Sequence, residues 1–145
     1  MQFFLITFFV FAFDQLLKFF VNNFMRVNET IPIIENVLHL TYVQNKGAAF
    51  GLFWGRSAFL LIIGVFVIGA ILHYHNKISL NDYLQIPLAF LLGGSLGNMF
   101  DRIFRSYVVD FIDFRVWPVF NLADIMINLG VFLVLIKLIQ DWRGN

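Results

Sequence analysis

The chain reads as an all-α membrane protein of four transmembrane helices, with a small β-rich loop region between helices 1 and 2. Three observations carry this. Of 145 residues, 60% are hydrophobic and 19% aromatic, and only 13% are charged; a soluble domain is about 25% charged and about 45–50% apolar. The apolar residues gather into four segments near the roughly 20 residues that span a bilayer. Several of the few charges, Asp14, Lys18, Asp101 and Asp124, lie in or at the edge of those segments. A charge at mid-bilayer costs roughly 2.5–3.5 kcal/mol on insertion scales, so such groups persist where they line a bundle interior or a wet cavity.

The first segment, residues 2–24, is apolar except for Asp14, Gln15 and Lys18, with Asn22 and Asn23 at its end. No basic residues precede it and no small-residue cleavage site follows, so it is expected to stay as a spanning helix. The second, residues 55–74, is built on SAFLLIIGVFVIGAIL, with Phe53 and Trp54 before it and Tyr74 at its end as interfacial residues. The third, residues 82–101, carries Gly93, Gly94 and Gly97. The fourth, residues 117–139, is expected to hold Pro118 in its first turn, where a missing N–H is harmless. Residues 1–145 thus form one expected membrane domain with no repeat and no second unit.

Three loops join the segments. In the long first loop, VLHLTYV (Val37–Val43) alternates like a strand, and Asn45-Lys46-Gly47 reads as a turn. Unpaired strands are untenable in lipid, so this loop lies at the interface or outside. The second loop, around His73–Asn81, is short. The third, Asp101–Pro118, mixes charge with apolar residues, and its pattern leaves helix and strand both open. The two long loops carry more Lys and Arg than the opposite side, so a plain charge count puts them inside, but ends and short loops deserve more weight, and charge alone leaves the orientation open.

Whatever the orientation, four crossings bring the second half of helix 1, the end of helix 3 and the start of helix 4 to the same side. Asp14 and Lys18, four apart on one face, form an ion pair; the alternatives are ligand contact and snorkelling of Lys18 to the interface. The glycines thin one face of helix 3, either for close helix contact or to leave room for a bulky ligand. Asp101 and Arg102 are expected to pair, and Asn98 to reach a neighbouring helix. Asn121 and Asp124 share a face, with Asn128 a turn deeper. In the third loop Asp110 and Asp113 are both candidates, Asp110 favoured by its apolar neighbours.

A loop carboxylate folded back onto Asp124 makes a pair that shares a proton, one member acting as base and the other as acid. Such a pair activates water against an amide carbonyl, with Asn45, Arg102 or Asn121 orienting the substrate backbone. Other chemistries fit worse. There are no cysteines, so thiol attack is excluded. His39, His73 and His75 lack a metal-ligand pattern, and no metal or cofactor is expected. GGSLGN lacks the Lys-Ser/Thr of a phosphate loop. A net charge of +1 makes no case for nucleic acid.

The strings DQLLK (Asp14–Lys18), NKGAAFG (Asn45–Gly51), GGSLGNMFDR (Gly93–Arg102), VVDF (Val108–Phe111) and FNLAD (Phe120–Asp124), in this order, resemble the bacterial lipoprotein signal peptidases, the type II signal peptidases. The resemblance covers essentially the whole chain. It implies a four-helix aspartyl endopeptidase with Asp110 and Asp124 catalytic, and it raises Asp110 above what local sequence supplies. Asn45, Asn98, Arg102, Asn121 and Gly94 match residues that line or brace the site; Asp14, Lys18 and Asp101 match a polar scaffold. It implies cytoplasmic termini and extracytoplasmic long loops, against the plain charge count. The implied substrate is a diacylglyceryl-modified prolipoprotein cut just before its lipidated Cys. Membrane lipid and globomycin-type inhibitors are the other implied partners, and one chain suffices for the site. FIDFRVWPVFNLA, between the two aspartates, is short for the family. The rival readings are a transporter or proton carrier, which favours acids spread through the membrane depth, and a structural subunit, which tolerates Asp→Asn at Asp110 and Asp124.

Overall fold

The first helix shows how this sequence is sorted. In α1 (Gln2–Phe24) the buried residues are Phe3, Thr7, Val10, Asp14, Lys18 and Val21, spaced three or four apart in a single stripe. Asp14 and Lys18 are fully buried, while Phe4, Phe8 and Phe13 are 57–59% exposed. The polar residues therefore face the bundle and the phenylalanines face outward, the reverse of a water-soluble helix and the arrangement lipid imposes. A computed structural model of the chain describes residues 1–47 and 57–144. Phe53, Trp54, Arg56 and positions 48–51 of the NKGAAFG string lie outside the described residues.

The remaining helices are α2 (Ser57–His75), α3 (Gln85–Phe104) and α4 (Leu122–Gly144). Gln2–Phe24, Ala58–His75 and Leu122–Arg143 are each long and apolar enough to cross a membrane. α3 is the central helix, packed against α1, α2 and α4, and it buries Gln85, Asn98 and Asp101 among its neighbours. Its glycines are thin for a packing reason. A Cβ on Gly93 would come 2.7 Å from Val10 of α1, and one on Gly94 would come 2.5 Å from the Ala123 carbonyl of α4. A Cβ on Gly97 would run into the Asp14 carboxylate. Close contact, not an empty slot, is thus what the glycines provide.

Two helix starts differ from the expectation. α3 begins at Gln85 rather than 82, because the Asp82 carboxylate accepts the Leu84 N–H at 2.8 Å in the preceding turn; Pro87 then falls in the first helical turn, where proline is tolerated. α4 begins at Leu122, not near 117, so Pro118 precedes it. The intervening chain is held by Phe120, which forms a bridge with Ile112.

The first loop does contain strands, β1 (Thr30–Ile34) and β2 (Leu38–Asn45), and the third loop supplies β3 (Val108–Asp113). They form one antiparallel sheet in the order β1-β2-β3. Asn36, with φ 60°, makes the β1–β2 turn; asparagine is among the few residues at ease there. The β2–β3 register breaks between Leu40 and Val43. Beyond the break Val43 pairs with Asp110 and Asn45 with Val108. Such irregularities re-aim side chains. Tyr42, Val109 and Phe111 pack against Val21 of α1, which seats the sheet on the helices.

Candidate active site

The buried polar residues form two linked groups. The first ties the helices together. Lys18 Nζ lies 2.9 Å from Asp14 Oδ2 and 3.2 Å from Asp101 Oδ2, with all three side chains fully buried. Asp14 Oδ1 accepts the Ala123 N–H at 2.9 Å, one of the orphan amides at the start of α4. Asp101 accepts the Val109 N–H of β3 at 3.0 Å and is also paired with Arg105. The Gln15 amide donates to Asp14 at 3.1 Å and to the Gly97 carbonyl at 3.2 Å.

The second group holds two carboxylates. Asp110 Oδ1 accepts Asn121 Nδ2 at 2.6 Å, and Asp110 Oδ2 accepts Asn45 Nδ2 at 2.9 Å. Asp124 Oδ1 accepts Asn98 Nδ2 at 2.7 Å, and Asp124 Oδ2 accepts the Asn121 N–H at 3.2 Å. In return Asn121 Oδ1 accepts the Asp124 N–H at 3.0 Å. Asn121 and Asp124 are thus the N-cap and third residue of α4, in a reciprocal capping arrangement. Asn121 touches both carboxylates, and its Nδ2 also donates to Asn98 Oδ1 at 3.1 Å.

Asp110 and Asp124 line a cavity of about 1220 Å³, together with Asn45, Asn98, Arg102, Trp117 and others. Burial, then the negative charge of Asp124, pushes the Asp110 carboxyl up to about 7; the bonds from Asn45 and Asn121 and the charge of Lys18 oppose this. Asp113 behaves differently. Burial raises it, but Thr41 Oγ1 at 2.7 Å, the Arg115 N–H and the Arg115 guanidinium hold it below the usual carboxylate range. The environment, not the flanking sequence, separates the two loop acids. Asp110 changes protonation near neutrality, and Asp113 stays ionised in an ion pair.

The sequence pattern of the family described as Signal peptidase (SPase) II matches residues 6–140. This chain belongs to the signal peptidase II family. A lipoprotein signal peptidase of Halothermothrix orenii is 44% identical, the match covering 95% of each chain. One from Fusobacterium nucleatum is 45% identical over 86% of this chain and 78% of its own. Among solved structures, a bacterial membrane enzyme determined by the in meso method at 2.3 Å superposes with a TM-score of 0.94. It is 33% identical, and the match covers 99% of this chain and 91% of that one. A second, at 1.9 Å, gives 0.88 at 34% identity, covering 97% and 94%.

In this signal peptidase II family member, the structure brings Asp110, Asp124, Asn45, Asn98 and Asn121 into one hydrogen-bonded set. Asp14 and Lys18 are an ion pair, and full burial excludes snorkelling of Lys18. Gly94 sits in the α3–α4 contact. One expectation fails: Asp101 pairs with Lys18 and Arg105, not with Arg102. Neighbours in a helix diverge, whereas residues four apart share a face. Arg102 instead donates to the Asn98 carbonyl at 3.3 Å and the Gly47 carbonyl at 3.1 Å, so it spans from α3 to the end of the first loop. Sequence reasoning misses Gln15 and Arg105. The i, i+4 spacing of Asp101 and Arg105 is a signal that points to the second.

Proposed function

We propose that Asp110 and Asp124 are the catalytic pair of an aspartyl endopeptidase that removes signal peptides from prolipoproteins. The observation that carries this is that both carboxylates line one cavity and both bond to Asn121. The ionised carboxyl takes a proton from water, and the water oxygen bonds to the scissile carbonyl carbon. The protonated carboxyl gives its proton to the carbonyl oxygen, so a tetrahedral diol forms. The first carboxyl then passes its proton to the amide nitrogen as the C–N bond breaks. A diol hydroxyl returns a proton to the second, restoring the starting state. Asp110, buried and raised to about 7, suits such proton traffic, while Asn45, Asn98, Arg102 and Asn121 hold the carboxylates and the substrate backbone.

The substrate we infer is a precursor whose Cys bears diacylglycerol, cut immediately before that Cys. A largely apolar chain with its acids gathered toward one end suits a lipid-anchored substrate whose scissile bond lies near the membrane surface. In this reading residues 1–145 are one integral-membrane domain, and α3 crosses along with the three apolar helices. The termini are cytoplasmic, the site lies near the extracytoplasmic face, globomycin-type inhibitors occupy the cavity, and one chain suffices. The clustering of the carboxylates favours this over a proton carrier.

Purified D110N and D124N, incubated with lipidated precursor, are each expected to lose cleavage while remaining folded. Turnover by either folded variant refutes the assignment. The non-lipidated precursor is expected to be cut poorly; equal rates for the two forms remove lipid recognition from the proposal.

A further inference from the structure

Neutralising the buried carboxylates does not account for all that Lys18 does. An ammonium has three N–H bonds, and Lys18 directs them to three partners: Asp14 at 2.9 Å, Asp101 at 3.2 Å and Asn98 Oδ1 at 2.9 Å. The first two contacts are ion pairs. The third goes to an amide oxygen that already receives Asn121 Nδ2 at 3.1 Å. With two donors on its oxygen, the Asn98 amide must present its NH2 end to Asp124, which it does at 2.7 Å. The flipped amide would set that NH2 against the ammonium. Without Lys18, Asn121 alone would orient it.

We propose that Lys18 is a positioning residue for peptide cleavage, fixing the Asp124 carboxylate through the Asn98 amide. The proposal rests on the reading of Asp110 and Asp124 as the hydrolytic pair. The charged groups around Lys18 are Asp14 on its own helix and Asp101 on α3, the latter shared with Arg105. Arg102 of α3 also lies near the carboxylate pair, and Lys46 lines the same cavity; β2 presents the Asn45 amide and the start of α4 the Asn121 amide. Lys18 thus acts across an amide, while Arg102 lines the cavity itself.

The test must separate positioning from folding. Lys18→Met alone leaves the buried Asp14 carboxylate without a counter-charge, so the charge-balanced double variant D14N/K18M is used. The amide introduced in place of the Asp14 carboxylate keeps an oxygen for the Ala123 N–H, and Asp101 keeps Arg105. With lipidated precursor, kcat is expected to fall about 10- to 100-fold at unchanged KM, the loss of one hydrogen bond to a charged group. N98L provides a second route with the Lys18 ion pairs intact. It should reproduce the same fall in kcat, and adding it to D14N/K18M should cost little more, because both remove the same connection. A folded D14N/K18M with the parent's kcat overturns the proposal. So does a folded N98L with the parent's kcat, even where D14N/K18M does not fold. Turnover by D110N or D124N would instead sink the reading beneath it.

Discussion

Substituting Asn45 by alanine tests the electrostatics of the site in a single measurement. Asn45 supplies one of the two amide donors on Asp110, at 2.9 Å, and both donors favour the ionised carboxylate against burial and the charge of Asp124. A hydrogen bond to a charged group is worth about 1.5–3 kcal/mol, and about 1.36 kcal/mol corresponds to one pKa unit. Complete loss therefore raises Asp110 by about one to two units. Asn45 is half-buried, so water replaces part of the bond, and the lower figure of about one unit is expected. The starting value is about 7, which puts the change in an accessible range. The assay is kcat/KM for lipidated precursor in detergent micelles from pH 5 to pH 10, with a thermal melt to confirm folding. The limb near neutrality should move to higher pH. A folded N45A whose limb stays in place refutes the claim that this amide tunes Asp110.

Other outcomes follow from the same geometry. Because the folded-state value of Asp110 is raised, its contribution to stability is greatest below the unfolded value of about 4 and is lost as pH rises through about 7; D110N should therefore gain in melting temperature over the parent between pH 5 and pH 8.5, and a constant difference would contradict this. Gly97→Ala should lose about 1–3 kcal/mol or more, since its methyl group meets the Asp14 carboxylate. Gly69→Ala should be tolerated, because nothing lies within 4 Å of its added Cβ; equal thermal shifts for the two glycine variants would argue against the packing account.

The long helices are legible because residues 2–24 and the later apolar runs have membrane length and few charges. Their starts are less so. Nothing in WPVFNLAD says that Phe120 will bridge to Ile112 before the helix begins, since that bond depends on a strand elsewhere in the chain. Strand β3 is hidden for the same reason: VVDFID gains its conformation by pairing with β2, a tertiary event that local alternation does not encode. Asp14 and Lys18 are readable as a pair from their spacing alone. The expected pairing of Asp101 with Arg102 fails because adjacency in sequence is not adjacency on a helix. Asp110 rises above Asp113 only through the family resemblance; what physically separates them is that Arg115 and Thr41 reach one and not the other.

The bond between Asp14 and the Ala123 amide joins groups 109 positions apart. A ribosome emits the first helix long before the last. Meanwhile Asp14 has Lys18 within four residues as a local counter-charge, so the opening helix enters lipid nearly neutral, without waiting for its distant partner. Asp124 and its Asn121 cap arrive only with the closing helix. A chain that has not yet made α4 therefore holds Asp110 without Asp124, and the two acids meet only once that helix docks.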